Sequence, residues 1–150
     1  MNPKLRGLDK GGIVSGERKK LAVPVLMERK RNGERVVMAS VTDYLMAQWA
    51  ERGEVDIVVV GDSLGMITYG HSNTLPMTVD QMIEHTRAVC RGAPNTMNIV
   101  AMPFGSYANP EVAVNNALRL MKEGGAEVVK LQGGRDKFDV IKAVADAGVP

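Results

Sequence analysis

Runs of consecutive apolar residues alternate along the chain with stretches in which apolar residues recur every three or four positions. The runs predict strands at residues 35–41, 56–60, 97–102 and 127–131. Unbroken β-branched runs such as 56–60 are typical of parallel strands that are buried on both faces. The periodic stretches predict helices that follow these strands. Alternation of this kind predicts a parallel α/β fold.

Capping signals mark where several helices begin. Asp43 precedes the first helix of the alternation, and Thr78 opens a capping-box sequence. Asn109 followed by Pro110 marks another start, because proline suits the first helical turn. The inward helix faces are predicted to carry Met82, Ile83, Thr86, Val89 and Cys90, then Val114, Ala117, Leu118 and Met121, and finally Phe138, Ile141, Val144 and Ala145.

The chain divides by pattern into an arm, 1–22, and a domain, 23–150. The first 22 residues combine four glycines with charged residues and show little periodicity, so we expect a flexible arm. A short helix is predicted after Pro24, with its end near Asn32. Much of the positive excess behind the net charge of +2 lies in the first 35 residues, without interleaved aromatic residues. This favours a solvated segment over a nucleic-acid surface.

Composition narrows the class of protein. Aromatic residues make up only 4% of the chain, so the core must be built from Val, Ile, Leu, Met and Ala. Cys90 is the only cysteine, which excludes a disulfide framework and a cysteine zinc site within one chain. Cys90 is expected to be a small buried apolar residue. No signal-peptide pattern or membrane-length apolar run is present, so we expect a cytoplasmic protein.

Parallel strands place functional side chains at their carboxyl ends, whether the sheet is open and doubly wound or closed into a barrel. Asp62 and Ser63 follow the second strand and begin a long loop, 61–77, of the length that is usually functional. Lys130 interrupts the apolar fourth strand, where a buried ammonium group would need an anionic partner. These three residues are candidate binding groups. Helix capping, loop hydrogen bonds and a structural salt bridge are the competing explanations.

Two other features are weaker. His85 is expected to be half-exposed within a helix, and His71 is expected to lie on a loop surface. Residues 61–64 spell Gly-Asp-Ser-Leu, which serine hydrolases of one class share, with the serine as nucleophile. Those enzymes also need an Asp-x-x-His element, which this chain lacks, so the hydrolase hypothesis is disfavoured.

Several motifs that follow one another along most of the chain point to one protein family more specifically than a single motif could. They are Val60–Met66, Gly70–Thr78, His85–Thr86, Arg91–Pro94, Met102–Phe104 and Val129–Gly134. In order and spacing they resemble the ketopantoate hydroxymethyltransferase family, and the similarity runs from about Val23 to the end. The resemblance implies a TIM barrel related to phosphoenolpyruvate mutase and isocitrate lyase. Because such a barrel has eight strands, we expect the N-terminal half of a (β/α)₈ barrel, truncated after about four βα units.

The resemblance also implies an activity. Enzymes of this family are transferases of pantothenate biosynthesis that add a hydroxymethyl group from 5,10-methylenetetrahydrofolate to 3-methyl-2-oxobutanoate, giving 2-dehydropantoate. By resemblance, Asp62 is a magnesium ligand and, with Ser63, a substrate contact, and Lys130 is a substrate contact. The general base, a glutamate, would lie beyond Pro150, so no catalytic residue is assigned within this chain. A homo-oligomer is implied, with no nucleic-acid or membrane partner.

Three positions depart from the family pattern. Ala101 and Gln132 stand where the family has acidic metal ligands, and Thr42 stands where it has a tyrosine. Alanine cannot coordinate a metal, and the neutral carbonyl oxygen of Gln132 is a weak magnesium ligand. We therefore expect magnesium binding to be weakened or lost. The alternative to the family activity is a divergent or inactive barrel paralogue that acts on another 2-oxo acid.

Overall fold

The computed structural model describes residues 19–150. Its strands are β1 (Met38–Ser40), β2 (Ile57–Val60), β3 (Met97–Ala101) and β4 (Val128–Lys130). Its helices are α1 (Val23–Arg31), α2 (Tyr44–Arg52), α3 (Leu64–Ile67), α4 (Val79–Gly92), α5 (Pro110–Lys122) and α6 (Phe138–Asp146), with a 3₁₀ turn at Arg135–Lys137 before α6. Most of the predicted arm, 1–22, lies outside the described residues, and its flexibility stays a prediction.

The four strands form one parallel sheet in the order β1-β2-β3-β4. Each strand pairs with the next one along the chain, and helices form the crossovers. The predicted parallel α/β pattern is therefore confirmed. The strands are shorter than their apolar runs, most clearly the first, since regular pairing begins at Met38 rather than at residue 35. After α6 the chain returns to the outer edge of β4, where the Val129 N–H donates to the Pro150 carbonyl at 3.0 Å.

The two faces of the sheet differ in burial. On the side that faces the helices of the crossovers, the side chains of β2 and β3 are fully buried, namely Val58, Val60 and Val100. On the opposite side, Ile57 and Met97 are buried near the amino ends of the strands, whereas Met38 is 59% exposed and Val59 is half-buried. The expectation of strands buried on both faces is thus met on the helix side and only in part on the other side within residues 19–150. We refer to the other face as the open face.

The predicted helix starts are confirmed by their hydrogen bonds. The Asp43 carboxylate accepts from the Met46 N–H at 2.8 Å at the start of α2. Thr78 and Gln81 form a complete capping box at the start of α4. Each cap satisfies backbone N–H groups that have no partner within the helix. The cap at Asn109 works in the same way, since its side chain accepts from the Val112 N–H.

The predicted helix face was right for α4, except that Cys90 is only half-buried, and the faces were partly wrong for α5 and α6. In α5 the buried residues are Ala113, Ala117 and Leu120. In α6 they are Val140 and Val144, whereas Phe138 is 63% exposed. The helix α4 lies between α2 and α5, which fixes its buried stripe from both sides. The last helix has a helical neighbour on one side only among the described residues, so its apolar stripe is incompletely covered.

Ion pairs hold the first helix near the amino ends of the strands. Arg29 of α1 pairs with Asp56, directly before β2, at 2.7 Å. Just ahead of α1, Lys20 pairs with Glu127, directly before β4, at 2.6 Å. This arrangement keeps α1 away from the carboxyl ends of the strands, where the candidate residues lie.

No helix in the described part of the chain is long and apolar enough to cross a membrane.

Candidate functional site

The register of the sheet brings two of the candidate positions together. Ala101 ends β3 and Lys130 ends β4, and their Cα atoms are paired across the sheet. Paired residues of parallel strands point to the same side of the sheet, and side chains two residues apart on one strand also share a side. Ala101 is two residues beyond Ile99, which is paired with Val59 on the open face. Ala101 and Lys130 are therefore neighbours on the open face at the carboxyl edge.

Lys130 is exposed on this face, and no ion pair to it is found among residues 19–150. The sequence predicted a costly buried ammonium, and in the described half of the sheet that prediction is wrong because the other described residues leave the Lys130 side chain exposed. Gln132, two residues further, is also exposed. Both side chains are free to meet a ligand that enters from the open face.

Ser63 lies beside the carboxyl end of β2 with a second hydroxyl nearby. A Cβ atom on Gly61 would lie 3.1 Å from the Ser63 Oγ and 4.0 Å from the Ser40 Oγ. A glycine at position 61 therefore leaves room for two hydroxyl groups that approach from successive strand ends. Asp62 sits between Gly61 and Ser63 and is half-buried.

The loop that follows Asp62 and Ser63 is more regular than the sequence indicated. It contains the short helix α3, and the side chain of Leu64 is fully buried in the core. A Cβ atom on Gly65 would lie 2.8 Å from the Met77 side chain, so the two ends of the loop pack closely together. The two ends of segment 61–77 are thus packed against each other, whereas its middle, including Ile67 and Leu75, stays exposed.

Thr42 lies just after β1, and its side chain is buried. Its hydroxyl lies 3.3 Å from the Asp43 carboxylate and 3.3 Å from the Met46 sulfur. The Asp43 carboxylate itself is used as the cap of α2. Neither group is therefore available to a ligand without a local rearrangement.

Similarity to known sequences decides the family. A sequence model described as ketopantoate hydroxymethyltransferase matches residues 20–150. The chain belongs to the ketopantoate hydroxymethyltransferase family. It is 47% identical over 134 residues to 3-methyl-2-oxobutanoate hydroxymethyltransferase 1 of Methylibium petroleiphilum, covering 89% of this chain and 46% of the relative. It is 50% identical over 122 residues to the enzyme of that name from Geobacillus kaustophilus, covering 81% and 44%.

Solved structures agree on the fold. A crystal structure of 2,3-dimethylmalate lyase, a member of the PEP mutase/isocitrate lyase superfamily, superposes with a TM-score of 0.64 at 16% identity. The match covers 83% of this chain and 47% of the lyase chain. The chain also spans about half the length of the curated relatives it matches. The expected half of a (β/α)₈ barrel is thereby confirmed.

The residues present do not form the acidic metal site that the family resemblance implies. Within residues 19–150 no group of three or more His, Cys, Asp or Glu side chains could hold a metal ion. At the predicted ligand positions Asp62 is the remaining carboxylate, beside Ala101 and Gln132. A hard, octahedral cation such as Mg²⁺ prefers several carboxylate oxygens. The magnesium site of the family therefore does not fit this donor set.

Both histidines are engaged by a cluster that sequence reasoning missed. The His85 Nδ1 lies 2.5 Å from the Thr42 carbonyl oxygen, and its Nε2 lies 2.9 Å from the Tyr69 hydroxyl. The ring of His71 stacks on that of Tyr69 with centroids 5.8 Å apart. His85 borders the buried stripe of α4, which was a usable signal, but its partners are distant in sequence. No hydrogen bond between Ser63 and a histidine is found in the described chain, which gives the hydrolase hypothesis no support.

Proposed function

We propose that the full-length protein transfers a hydroxymethyl group from 5,10-methylenetetrahydrofolate to 3-methyl-2-oxobutanoate, giving 2-dehydropantoate for pantothenate biosynthesis. Family membership and the names of the relatives support this activity. The observation that carries it in this chain is the position of Lys130, an ammonium group on the open face at the carboxyl edge with no described ion-pair partner. A 2-oxo acid carries a carboxylate with which such a group can pair.

The chemistry assigned to each residue follows from its type and place. The Lys130 ammonium would pair with the substrate carboxylate, as a charge-assisted hydrogen bond that favours an acid over a neutral carbonyl compound. The Ser63 hydroxyl would donate a hydrogen bond to an oxygen of the same substrate. The Asp62 carboxylate, next to Ser63 at the carboxyl edge of the sheet, can only accept hydrogen bonds. It would orient a hydrogen-bond donor or a cation that is bound together with the substrate carboxylate. The cytoplasm and a homo-oligomeric assembly are the setting that we expect for this activity.

A second candidate is favoured by the two neutral ligand positions. Ala101 and Gln132 remove two carboxylates from a site that, in the family pattern, surrounds a doubly charged cation. A barrel with this donor set could bind another 2-oxo acid, with catalysis altered or lost. Weak magnesium binding together with firm binding of a different 2-oxo acid would distinguish this candidate from the first.

Titration calorimetry on the full-length protein tests the proposal. Binding of 3-methyl-2-oxobutanoate is measured with and without Mg²⁺ for the wild type and for Lys130→Met. Because charge-assisted hydrogen bonds contribute about 1.5–3 kcal/mol, we expect Lys130→Met to weaken binding by about 10-fold or more. Lys122→Met is the control, since Lys122 is an exposed lysine in the last turn of α5.

Equal affinity of the wild type and Lys130→Met would refute the assigned role of Lys130. If the wild type binds the acid, transfer from 5,10-methylenetetrahydrofolate is assayed next by formation of 2-dehydropantoate. Binding without transfer would support the second candidate.

A further inference from the structure

The imidazole of His85 joins three separate parts of the chain. It belongs to α4, its Nδ1 reaches the carbonyl oxygen of Thr42 at the end of β1, and its Nε2 reaches the hydroxyl of Tyr69 in the loop after β2. The rings of Tyr69 and His85 meet edge to face with centroids 5.6 Å apart. A half-buried imidazole with both nitrogens hydrogen-bonded is held in one orientation.

The carbonyl group fixes which nitrogen carries the proton. The Thr42 oxygen can only accept a hydrogen bond, so the Nδ1 of His85 must donate. In the neutral ring the Nε2 is then an acceptor, and the Tyr69 hydroxyl donates to it. The direction of both bonds is therefore set by the backbone of β1.

Backbone hydrogen bonds on both sides of Tyr69 in the chain hold the segment that begins at the candidate binding residues. The Thr68 N–H donates to the Leu64 carbonyl at 2.7 Å, and the Gly65 N–H donates to the Asp62 carbonyl at 3.0 Å. The N–H groups of residues 66 and 67 donate to the Ser63 carbonyl at 3.0 and 3.2 Å. Beyond Tyr69, the His71 N–H donates a hydrogen bond to the Gly65 carbonyl oxygen at 2.9 Å. Holding Tyr69 thus holds the short helix at whose start Asp62 and Ser63 lie.

We propose that Tyr69 and His85 are positioning residues, which fix α3 against β1 and α4 and thereby orient Asp62 and Ser63 toward the bound 2-oxo acid. The inference rests on the proposed function for the identity of the ligand. The hydrogen bond itself can be tested without any ligand. Tyr69 and His85 do not touch the substrate in this role and act only through the segment that they hold.

Two variants remove the same bond by different means. Tyr69→Phe removes the hydroxyl and keeps the ring that stacks on His71. His85→Asn keeps a donor close to the position of Nδ1, so that the bond to the Thr42 carbonyl is retained while the acceptor for Tyr69 is lost. Tyr107→Phe is the matched control, because no hydrogen bond from the Tyr107 hydroxyl is found among residues 19–150.

Amide hydrogen exchange on the full-length protein gives the first readout. We expect the N–H groups of residues 64–68 to exchange about 2- to 10-fold faster in Tyr69→Phe and His85→Asn, the range that corresponds to one hydrogen bond. Exchange should be unchanged in Tyr107→Phe. The double variant should exchange no faster than the faster single variant, since both changes break one bond. Unchanged exchange in Tyr69→Phe would overturn the inference.

Binding of 3-methyl-2-oxobutanoate gives the second readout, at a temperature where thermal unfolding curves show every variant folded. We expect Tyr69→Phe and His85→Asn each to weaken binding by about 2- to 10-fold. Ser63→Ala reports on the proposed function itself, because it removes the hydroxyl assigned to a substrate oxygen. If Ser63→Ala weakens binding and Tyr69→Phe does not, the Tyr69–His85 bond is structural only and the positioning role is refuted.

If the wild type binds no 2-oxo acid, the proposed function fails together with the substrate-orienting role. Hydrogen exchange still decides in that case whether Tyr69 and His85 hold residues 62–68.

Discussion

The side chains at positions 101 and 132 govern the charge at the carboxyl edge. Ala101 is the Cα partner of Lys130, so a carboxylate there would lie beside the ammonium group. With alanine and glutamine present, Asp62 and Lys130 supply one negative and one positive charge at the candidate positions. The site is therefore closer to neutral than a family site with two further acids, which lowers its attraction for cations.

Restoring the two acids should restore metal binding. We expect Ala101→Asp combined with Gln132→Glu to raise the affinity of the full-length protein for Mg²⁺ by more than about 100-fold, because even outer-shell changes shift metal affinity by about 10- to 100-fold. Titration calorimetry measures this. Because Ala101 is buried, Ala101→Asp could disturb folding, so the single variant Gln132→Glu at an exposed position is measured as well. It should give a smaller increase in Mg²⁺ affinity.

A charge-matched control separates coordination from general attraction. Asn115→Asp combined with Gln48→Glu adds the same two charges on helices away from the carboxyl edge. If this control gains as much Mg²⁺ affinity as Ala101→Asp with Gln132→Glu, positions 101 and 132 are not ligand positions in this chain.

The thiol of Cys90 is a second feature at the scale of single residues. It is half-buried and lies 3.3 Å from the Gly125 carbonyl oxygen. Burial raises the pKa of the Cys90 thiol, an effect that Lys20 partly offsets. The thiolate fraction at a given pH near 8 is therefore smaller than for a free cysteine.

Alkylation kinetics test this shift. We expect iodoacetamide to modify Cys90 more slowly in the folded protein than in the urea-unfolded protein, and the folded rate to keep rising to a higher pH. Because the folded pKa is raised, the stability linked to Cys90 is present below the unfolded pKa and is lost as the pH rises through the folded pKa. Cys90→Ser should remove that loss from the unfolding curves. Equal rates in both states would contradict the shift.

At the scale of elements, α2 and α4 approach each other closely at Gly92. A Cβ atom on Gly92 would lie 2.5 Å from the Tyr44 carbonyl oxygen and 2.7 Å from the Ala47 Cβ. Contacts this short with backbone cannot be relieved by a rotamer change. The glycine at the end of α4 therefore sets how closely the two helices pack.

Gly92→Ala should push these helices apart. We expect the free energy of unfolding to fall by about 1–3 kcal/mol, the usual cost of overpacking a tight core. Chemical denaturation measures the change. Gly53→Ala is the control, because its nearest atoms are helix carbonyls at 3.3 and 3.6 Å and its φ is −78°. We expect it to change stability by less than about 0.5 kcal/mol, and a similar loss in both variants would show that the close approach is not the cause.

The features of helices and strands that the sequence predicted well are those that depend on residues close together in the chain. The caps at Asp43, Thr78 and Asn109 depend on residues three positions apart, and each formed as expected. The order of strands and helices followed from hydrophobic periodicity. Strand lengths and the buried faces of α5 and α6 were less well predicted, because they depend on which neighbours pack against each element.

The candidate site also has features that the sequence predicted and features that it did not. Chain order alone placed Asp62 and Ser63 after one strand and Lys130 near the end of another, and parallel strands share one carboxyl edge. The exposure of Lys130 was not predictable because it depends on what covers the open face. The Tyr69–His85 bond was not predictable either, since it joins residues 16 positions apart in a loop and a helix.

At the scale of the whole molecule, the described half barrel leaves apolar surface uncovered at both sides. Trp49 of α2 is 60% exposed and Leu45 is 52% exposed beside β1, while Phe138 of α6 is 63% exposed beside β4. The open face adds Met38 at 59%. Exposed sheet edges and apolar faces of this kind recruit other chains.

Residues 1–150 produced alone should therefore self-associate. Sedimentation velocity across a range of concentrations measures this, with the full-length protein as the reference. Leu45→Glu combined with Trp49→Glu should reduce association, whereas Leu75→Glu, in the loop between β2 and α4, should not. A monodisperse monomer that unfolds cooperatively would contradict the prediction.

The unlike edges of β1 and β4 restrict the symmetry of any such complex. Once the Pro150 carbonyl is displaced from Val129, the outer side of β4 can continue a parallel sheet only by meeting the outer side of a β1, so the contact is head-to-tail rather than the same patch on both copies. If sheet curvature turns each copy by half a circle, two copies close a ring with no edge left and growth stops at the dimer. A smaller or larger turn gives open filaments that lengthen with concentration. The size distribution of the self-associated half barrel would thus measure the curvature that four strands impose.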